Sequence, residues 1–137
     1  LSLVLDSSAT LAFFHADESA PAIQTLFDQV GREGAWVPGL WRLEVGNVLE
    51  MGVRRGRYDD AFRRATLADL DLLPIRTDID TDRHAWGEIA RLASRHRLSM
   101  YDASYLELAR RLTLPLATLD NALRGAALND GVRLIGV

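Results

Sequence analysis

LSLVLDSSATLAFF, residues 1–14, decides the reading of this chain. The apolar run LSLVL suits a buried strand, Asp6 stops it, and SSATLAFF has the makings of a short helix whose start Ser7 or Ser8 can cap. Strand, acid and helix recur downstream. AWVP (35–38) is a candidate strand, and Gly39 opens a helix over about 40–53 that carries Glu44. LPLATL (114–119) is another strand; Asp120 ends it and a helix over about 121–128 follows. LLPIR (72–76) makes a short strand whose proline is more comfortable at a sheet edge, and VRLIGV (132–137) makes the last.

Between the strands the helical period dominates. A helix over about 20–30 has Ser19 as cap, Pro21 in its first turn, and Ile23, Leu26, Phe27 and Val30 as its apolar stripe. Further helices are expected over about 59–70, over about 79–95 with Ala85, Trp86, Ile89, Ala90, Leu92 and Ala93 on the buried side, and over about 102–112. Strands alternating with helices imply one α/β domain over residues 1–137, with a mostly parallel sheet and helices on both faces.

Composition excludes several chemistries. The 137 residues contain no cysteine, so disulfides, zinc-thiolate sites and thiol nucleophiles are ruled out. All 16 basic residues are arginine, and without lysine a phosphate-binding loop ending in Gly-Lys-Ser/Thr is impossible. A net charge of -3 argues against a uniformly basic nucleic-acid coat, while leaving room for a local basic rim. No apolar run approaches the roughly 20 residues a membrane span needs, which predicts a soluble, cytoplasmic protein.

In an open α/β sheet, ligands bind in the crevice at the carboxyl ends of the strands, which is where Asp6, Glu44, Asp102 and Asp120 are expected. Taken singly, Asp6, Asp102 and Asp120 can each be read as a helix cap. Glu44 resists that reading: Leu40, Trp41 and Val48 lie at minus four, minus three and plus four, so its carboxylate shares an apolar face. Burying an unpaired charge costs several kcal/mol, so something must compensate it. Crowded carboxylates repel, and hard oxygen donors favour Mg²⁺ or Mn²⁺ as the neutralising ion. Thr118, two residues before Asp120, can hydrogen-bond a carboxylate.

Other candidates carry less. His15, His84 and His96 lack the spacing of a helical zinc pair, and Ser7 and Ser8 have no base or oxyanion motif nearby. Glu50 has Arg54 four residues on and reads as a solvated ion pair. Arg54, Arg55, Arg57, Arg63 and Arg64 form the densest basic stretch; a solvated face is the default and an RNA-backbone contact the sharper alternative.

Together, LVLDSSATLAFF, WRLEVGNVL, MYDASYLELA and TLDNALRGAA resemble the PIN domain, in particular the VapC-type toxins of bacterial toxin-antitoxin pairs, over nearly the whole chain. The resemblance implies a five-stranded parallel sheet of order 3-2-1-4-5 and an Mg²⁺- or Mn²⁺-dependent endoribonuclease. It places Asp6, Glu44, Asp102 and Asp120 as metal-binding and catalytic residues, with Ser7 and Thr118 in support. It further implies an RNA substrate, a small VapB-type antitoxin and a homodimer. A catalytically silent PIN-like module that binds RNA or protein through the same cleft is the alternative from another class, and a related DNA or flap nuclease is the enzymatic one.

Overall fold

The structure is a computed structural model that describes residues 2–15 and 20–136. Its elements run in the order β1 (Val4–Leu5), α1 (Ser7–Phe14), α2 (Pro21–Glu33), β2 (Ala35–Val37), α3 (Trp41–Arg54), α4 (Asp60–Asp71), β3 (Ile75–Thr77), α5 (Thr81–His84), α6 (Ala90–His96), α7 (Met100–Leu112), β4 (Leu116–Ala117) and α8 (Asn121–Asn129). A π-helical turn, Ala85–Ile89, joins α5 to α6. All strand pairs are parallel and the sheet order is β3-β2-β1-β4. β1 is central because it is the most apolar: Leu3, Val4 and Leu5 are completely buried. Burying each of these side chains is worth about 1.5–3 kcal/mol. β3 is an edge strand that starts just after Pro74, where a missing N–H does no harm.

The expected fifth strand is reduced to one residue pair. Leu134 bridges Leu116 in the parallel sense beside β4, with Leu116 N donating to Arg133 O and Ile135 N donating to Leu116 O. The position agrees with a 3-2-1-4-5 order, but the sheet has four strands. Gly136 ends the pairing: its φ of 83° turns the chain, and a Cβ there would lie 2.9 Å from Leu26 Cδ1.

Helix ends follow local chemistry. Asp59 and Asp120 accept from Phe62 N and Leu123 N, and Ser99 from Asp102 N, so α7 begins two residues before the expected start. Pro21 opens α2, whose N-cap Ala20 makes no side-chain cap; the expected cap, Ser19, lies outside the described residues. α2 continues through Gly31 to Glu33 and stops at Gly34, whose φ is 79°. Trp86 departs from expectation, being 95% exposed although Ile89 and Leu92 of the same stretch are buried. The wider i→i+5 turn at Ala85–Ile89 breaks the 3.6-residue spacing that would have put it on the inner face.

A buried ionic tie holds the segment after β3 against α7. Arg111 donates to both oxygens of Glu107 on its own helix and to both of Asp78, while Thr81 Oγ1 donates to Asp78 Oδ2 at 2.9 Å. α7 also packs on β1, β4 and α8. Among the described residues, no helix is long and apolar enough to cross a membrane.

Candidate acidic active site

Each of the four acids stands at a helix N-terminus, where the unpaired N–H groups favour negative charge. Asp6 caps α1 and Asp120 caps α8, Glu44 lies in the first turn of α3, and Asp102 in the first turn of α7. Asp102 is not the cap of its helix, since Ser99 performs that role.

Asp6 is the hub, only 2% exposed. Its Oδ2 accepts from Ser8 Oγ at 2.6 Å and Thr118 Oγ1 at 2.7 Å, and its Oδ1 from Ser7 N at 2.8 Å. Thr118 Oγ1 in turn accepts from Asp120 N at 3.0 Å, so one hydroxyl ties the ends of β1 and β4 together. Ser7 supports Asp6 chiefly through its N–H, its hydroxyl lying 3.5 Å from Oδ1. Ser8 makes the stronger contact, and also accepts from Leu119 N at 3.0 Å. Its position two residues after Asp6 was the available signal.

Glu44 is half-buried, and its Oε1 accepts a hydrogen bond from the Tyr105 hydroxyl across 61 residues of sequence. In the sequence Tyr105 stands three residues after Asp102, on the same face of that helix. This phenol supplies part of the compensation that an acid beside an apolar face requires.

The electrostatics show which acids feel one another. Burial raises the Asp6 carboxyl above its usual range, against the pull of Ser8, Thr118 and Ser7 N. Glu44 is raised by burial, lowered in part by Tyr105, and raised again by the charges of Asp6 and Asp102. Asp102 is raised by burial, then by Asp6 and Asp120, with Ser99 opposing. The charges of Asp6 and Asp102 thus bear on Glu44, and those of Asp6 and Asp120 on Asp102. The donors are all hard oxygens, the type that suits Mg²⁺ or Mn²⁺. Among the described residues, no three histidine, aspartate or glutamate side chains are gathered tightly enough to hold an ion as they stand.

The remaining candidates have structural places. Glu50 is bound by Arg54 at 2.9 Å and Arg63 at 2.8 Å. His96 Nε2 lies 2.6 Å from Asp130 Oδ2, joining α6 to the end of α8, and His15 packs against Tyr58. Trp41 is buried with its Nε1 donating to Thr10 Oγ1.

The parallel sheet flanked by helices, with Asp6 following β1 and Asp120 following β4 as helix caps and Glu44 and Asp102 in the first turns of α3 and α7, defines an α/β fold with acids at helix N-termini. The PIN domain model matches residues 3–128, so the chain belongs to the PIN domain family, whose members are generally nucleases. Among solved structures it is similar to PAE2754 from Pyrobaculum aerophilum, with a TM-score of 0.64 and 24% identity over 92% of this chain and 79% of that one. It is also similar to FitAcB from Neisseria gonorrhoeae, with a TM-score of 0.67 and 14% identity over 98% of this chain and 96% of that one. At these identities the likeness is one of fold. A comparison with curated proteins finds no match.

Proposed function

We propose that this chain is an Mg²⁺- or Mn²⁺-dependent endoribonuclease of the VapC type, a single PIN domain over residues 1–137 that cuts RNA phosphodiester bonds and is restrained by a small antitoxin. The observation that carries the reading is the placing of Asp6, Glu44, Asp102 and Asp120 at helix N-termini of a PIN-domain fold, with Asp6 and Asp120 tied through Thr118 and Glu44 bonded to Tyr105 of the helix that carries Asp102. A hard divalent ion bound there supplies activation of the attacking water and neutralisation of charge on the phosphate oxygens. Asp6 and Asp102 would be its principal ligands, and Glu44 and Asp120 would bind it directly or through water. Ser8, Thr118 and the Ser7 N–H hold the Asp6 carboxylate in one orientation, and Tyr105 does the same for Glu44.

The antitoxin reading rests on the family resemblance and on apolar surface on α3 and α4. Leu43 and Val48 of α3 and Phe62 and Leu67 of α4 are exposed. A groove of about 360 Å³ between these helices is lined by Trp41, Val45 and Leu67. The exposed aliphatic surface falls on α3 and α4; on α2 the large aliphatic side chains are buried. Homodimerisation is proposed from the resemblance.

Purified protein should cleave single-stranded RNA with added Mg²⁺ or Mn²⁺ and stop when the ion is chelated. Asp6→Asn and Asp102→Asn should each slow cleavage about 100-fold or more, beyond the roughly 10–100-fold cost of losing a group that merely supports a ligand. Circular dichroism should show both variants folded. Wild-type rates in both variants at limiting metal would end the nuclease reading and leave a binding module that uses the same cleft.

A further inference from the structure

The two oxygens of Asp6 are held unequally. Oδ2 accepts from Ser8 Oγ at 2.6 Å and from Thr118 Oγ1 at 2.7 Å, whereas Oδ1 accepts from Ser7 N at 2.8 Å, with the Ser7 hydroxyl at 3.5 Å. A hydroxyl has a single proton to donate, so what its oxygen accepts decides where that proton can go. Ser8 Oγ accepts from Leu119 N at 3.0 Å, and Thr118 Oγ1 accepts from Asp120 N at 3.0 Å. Consecutive N–H groups of the segment between β4 and α8 thus hold both hydroxyls with their protons toward Asp6. The 3.3 Å separation of the two hydroxyl oxygens is then a contact between donors that share one acceptor.

Sequence and sheet order bring these groups together. Ser8 lies in the first turn of α1, just past its cap Asp6, and Thr118 directly follows β4. β1 and β4 are parallel neighbours with Leu5 opposite Ala117, so the residues that follow them, Asp6 and Thr118, meet side by side. Asp6 is 2% exposed and Thr118 fully buried, which leaves bulk water little access to the carboxylate. Against the lift from burial, the Ser8 and Thr118 hydroxyls lower the Asp6 carboxyl more than the N–H groups of Ser7 and Ser8 do.

An ionised carboxylate offers about four lone-pair sites, shared equally between its oxygens. The hydroxyls of Ser8 and Thr118 fill those of Oδ2, while Ser7 N fills one on Oδ1. We propose that Ser8 is a positioning residue for the metal: with Thr118 it occupies Oδ2, leaves Oδ1 to take the ion, and so makes Asp6 a one-oxygen ligand. This rests on the metal-dependent reading of the four acids. A carboxylate confined to one oxygen suits an ion that demands octahedral coordination with short bonds, as Mg²⁺ and Mn²⁺ do. It handicaps Ca²⁺, which collects roughly six to eight oxygens and readily takes both from one carboxylate. Ser8 thereby sets which ion the site prefers as well as how firmly it is held.

The test measures metal binding apart from cleavage. Mn²⁺ and Ca²⁺ are titrated separately into metal-free full-length protein by calorimetry, using wild type, Ser8→Ala, Ser8→Thr and Thr118→Val, and the melting temperature of each metal-free protein is recorded. Ser8→Ala should weaken Mn²⁺ binding about 10–100-fold, the cost of losing a group that orients a ligand. Ca²⁺ binding should weaken less, because Oδ2 is released to the larger ion, so the preference for Mn²⁺ over Ca²⁺ should shrink. Thr118→Val removes the other donor to the same oxygen and should move the preference the same way; it carries the test where Ser8→Ala does not fold. Ser8→Thr keeps the hydroxyl and should keep both the Mn²⁺ affinity and the preference. Unchanged Mn²⁺ affinity in Ser8→Ala and Thr118→Val overturns the assignment and leaves the nuclease reading standing. A lower melting temperature with the preference intact also overturns it, because the hydroxyl would then be structural alone. A wild type that binds no Mn²⁺ overturns it together with the metal-dependent reading. Mn²⁺ binding that follows the Ser8 hydroxyl in a protein that never cleaves RNA would support the assignment while removing the nuclease reading.

Discussion

Tyr105 is the residue whose small change should be most informative. Burial and the neighbouring Glu44 push its phenol far above the usual range, so at any ordinary pH it remains a donor. Its bond lowers the Glu44 carboxyl, against the lift from burial, Asp6 and Asp102. Tyr105→Phe keeps the ring that packs in α7 and deletes only the donor, so the fold should survive with a loss of about 1.5 kcal/mol, at the lower end for a hydrogen bond to a charged group. Without the donor, Glu44 takes a proton at higher pH, and the acid limb of the cleavage profile should move upward. Mn²⁺ affinity, read by calorimetry, should fall about 10–100-fold. A purely structural tyrosine would lower the melting temperature while leaving the pH limb and the Mn²⁺ titration where they were.

The segment between β3 and α5 is joined to α7 by the Asp78–Arg111–Glu107 tie, in which one guanidinium serves two buried carboxylates. Burial raises the Asp78 carboxyl, but Arg111, Thr81 and Asp80 N outweigh it and hold the group below its ordinary range. The unfolded chain therefore takes the proton first as pH falls. The stabilisation from Asp78 is complete above its unfolded value near 3.8 and is lost as pH drops through the lower folded value. Arg111→Met strands both acids and should cost about 3–5 kcal/mol in urea unfolding. Adding Asp78→Asn and Glu107→Gln should restore much of that, because the uncompensated charges go with it; no recovery in the triple variant would show that packing by Arg111, and not charge, is what matters. Such long-range ties were not legible in the sequence, since Asp78 and Arg111 meet only after the chain has folded. Features with a local signature were: Pro21, Asp59 and Asp120 mark helix starts in the sequence as they do in the structure. Trp86 escaped because a π-helical turn has no period to read, and the last strand shrank because Gly136 against Leu26 is a tertiary contact. Asp6, Glu44, Asp102 and Asp120 stood out because each occurs where a helix begins; the Ser8 and Tyr105 bonds that orient two of them could not be assigned without the packing.

The molecule as a whole balances these two kinds of carboxylate, and they respond to pH in opposite senses. Asp6, Glu44 and Asp102 are raised in the folded state, so on acidification from neutrality the folded protein takes up protons before the unfolded chain does. Their contribution to stability therefore grows as pH falls through the folded values, and levels off near the unfolded values of 3.8 and 4.5. Metal-free protein should accordingly melt higher at about pH 5 than at pH 7.5, until protonation of groups such as Asp78 reverses the trend at lower pH. A divalent ion bound to the same acids acts at the other end of the range, because it neutralises them without protons. Mn²⁺ at a hundred times its dissociation constant should add about 2.7 kcal/mol at pH 7.5. That gain should shrink toward pH 5, where protons compete for the same oxygens. Asp6→Asn should flatten both responses together, raising the metal-free melting temperature at pH 7.5 and weakening the Mn²⁺ gain, since the variant deletes the charge that Glu44 and Asp102 both feel. Scanning calorimetry of wild type and variant at the two pH values, with and without Mn²⁺, decides the matter. Equal melting temperatures for metal-free wild type at pH 5 and 7.5, with an Mn²⁺ gain that Asp6→Asn leaves intact, would mean that the four acids do not act as one set.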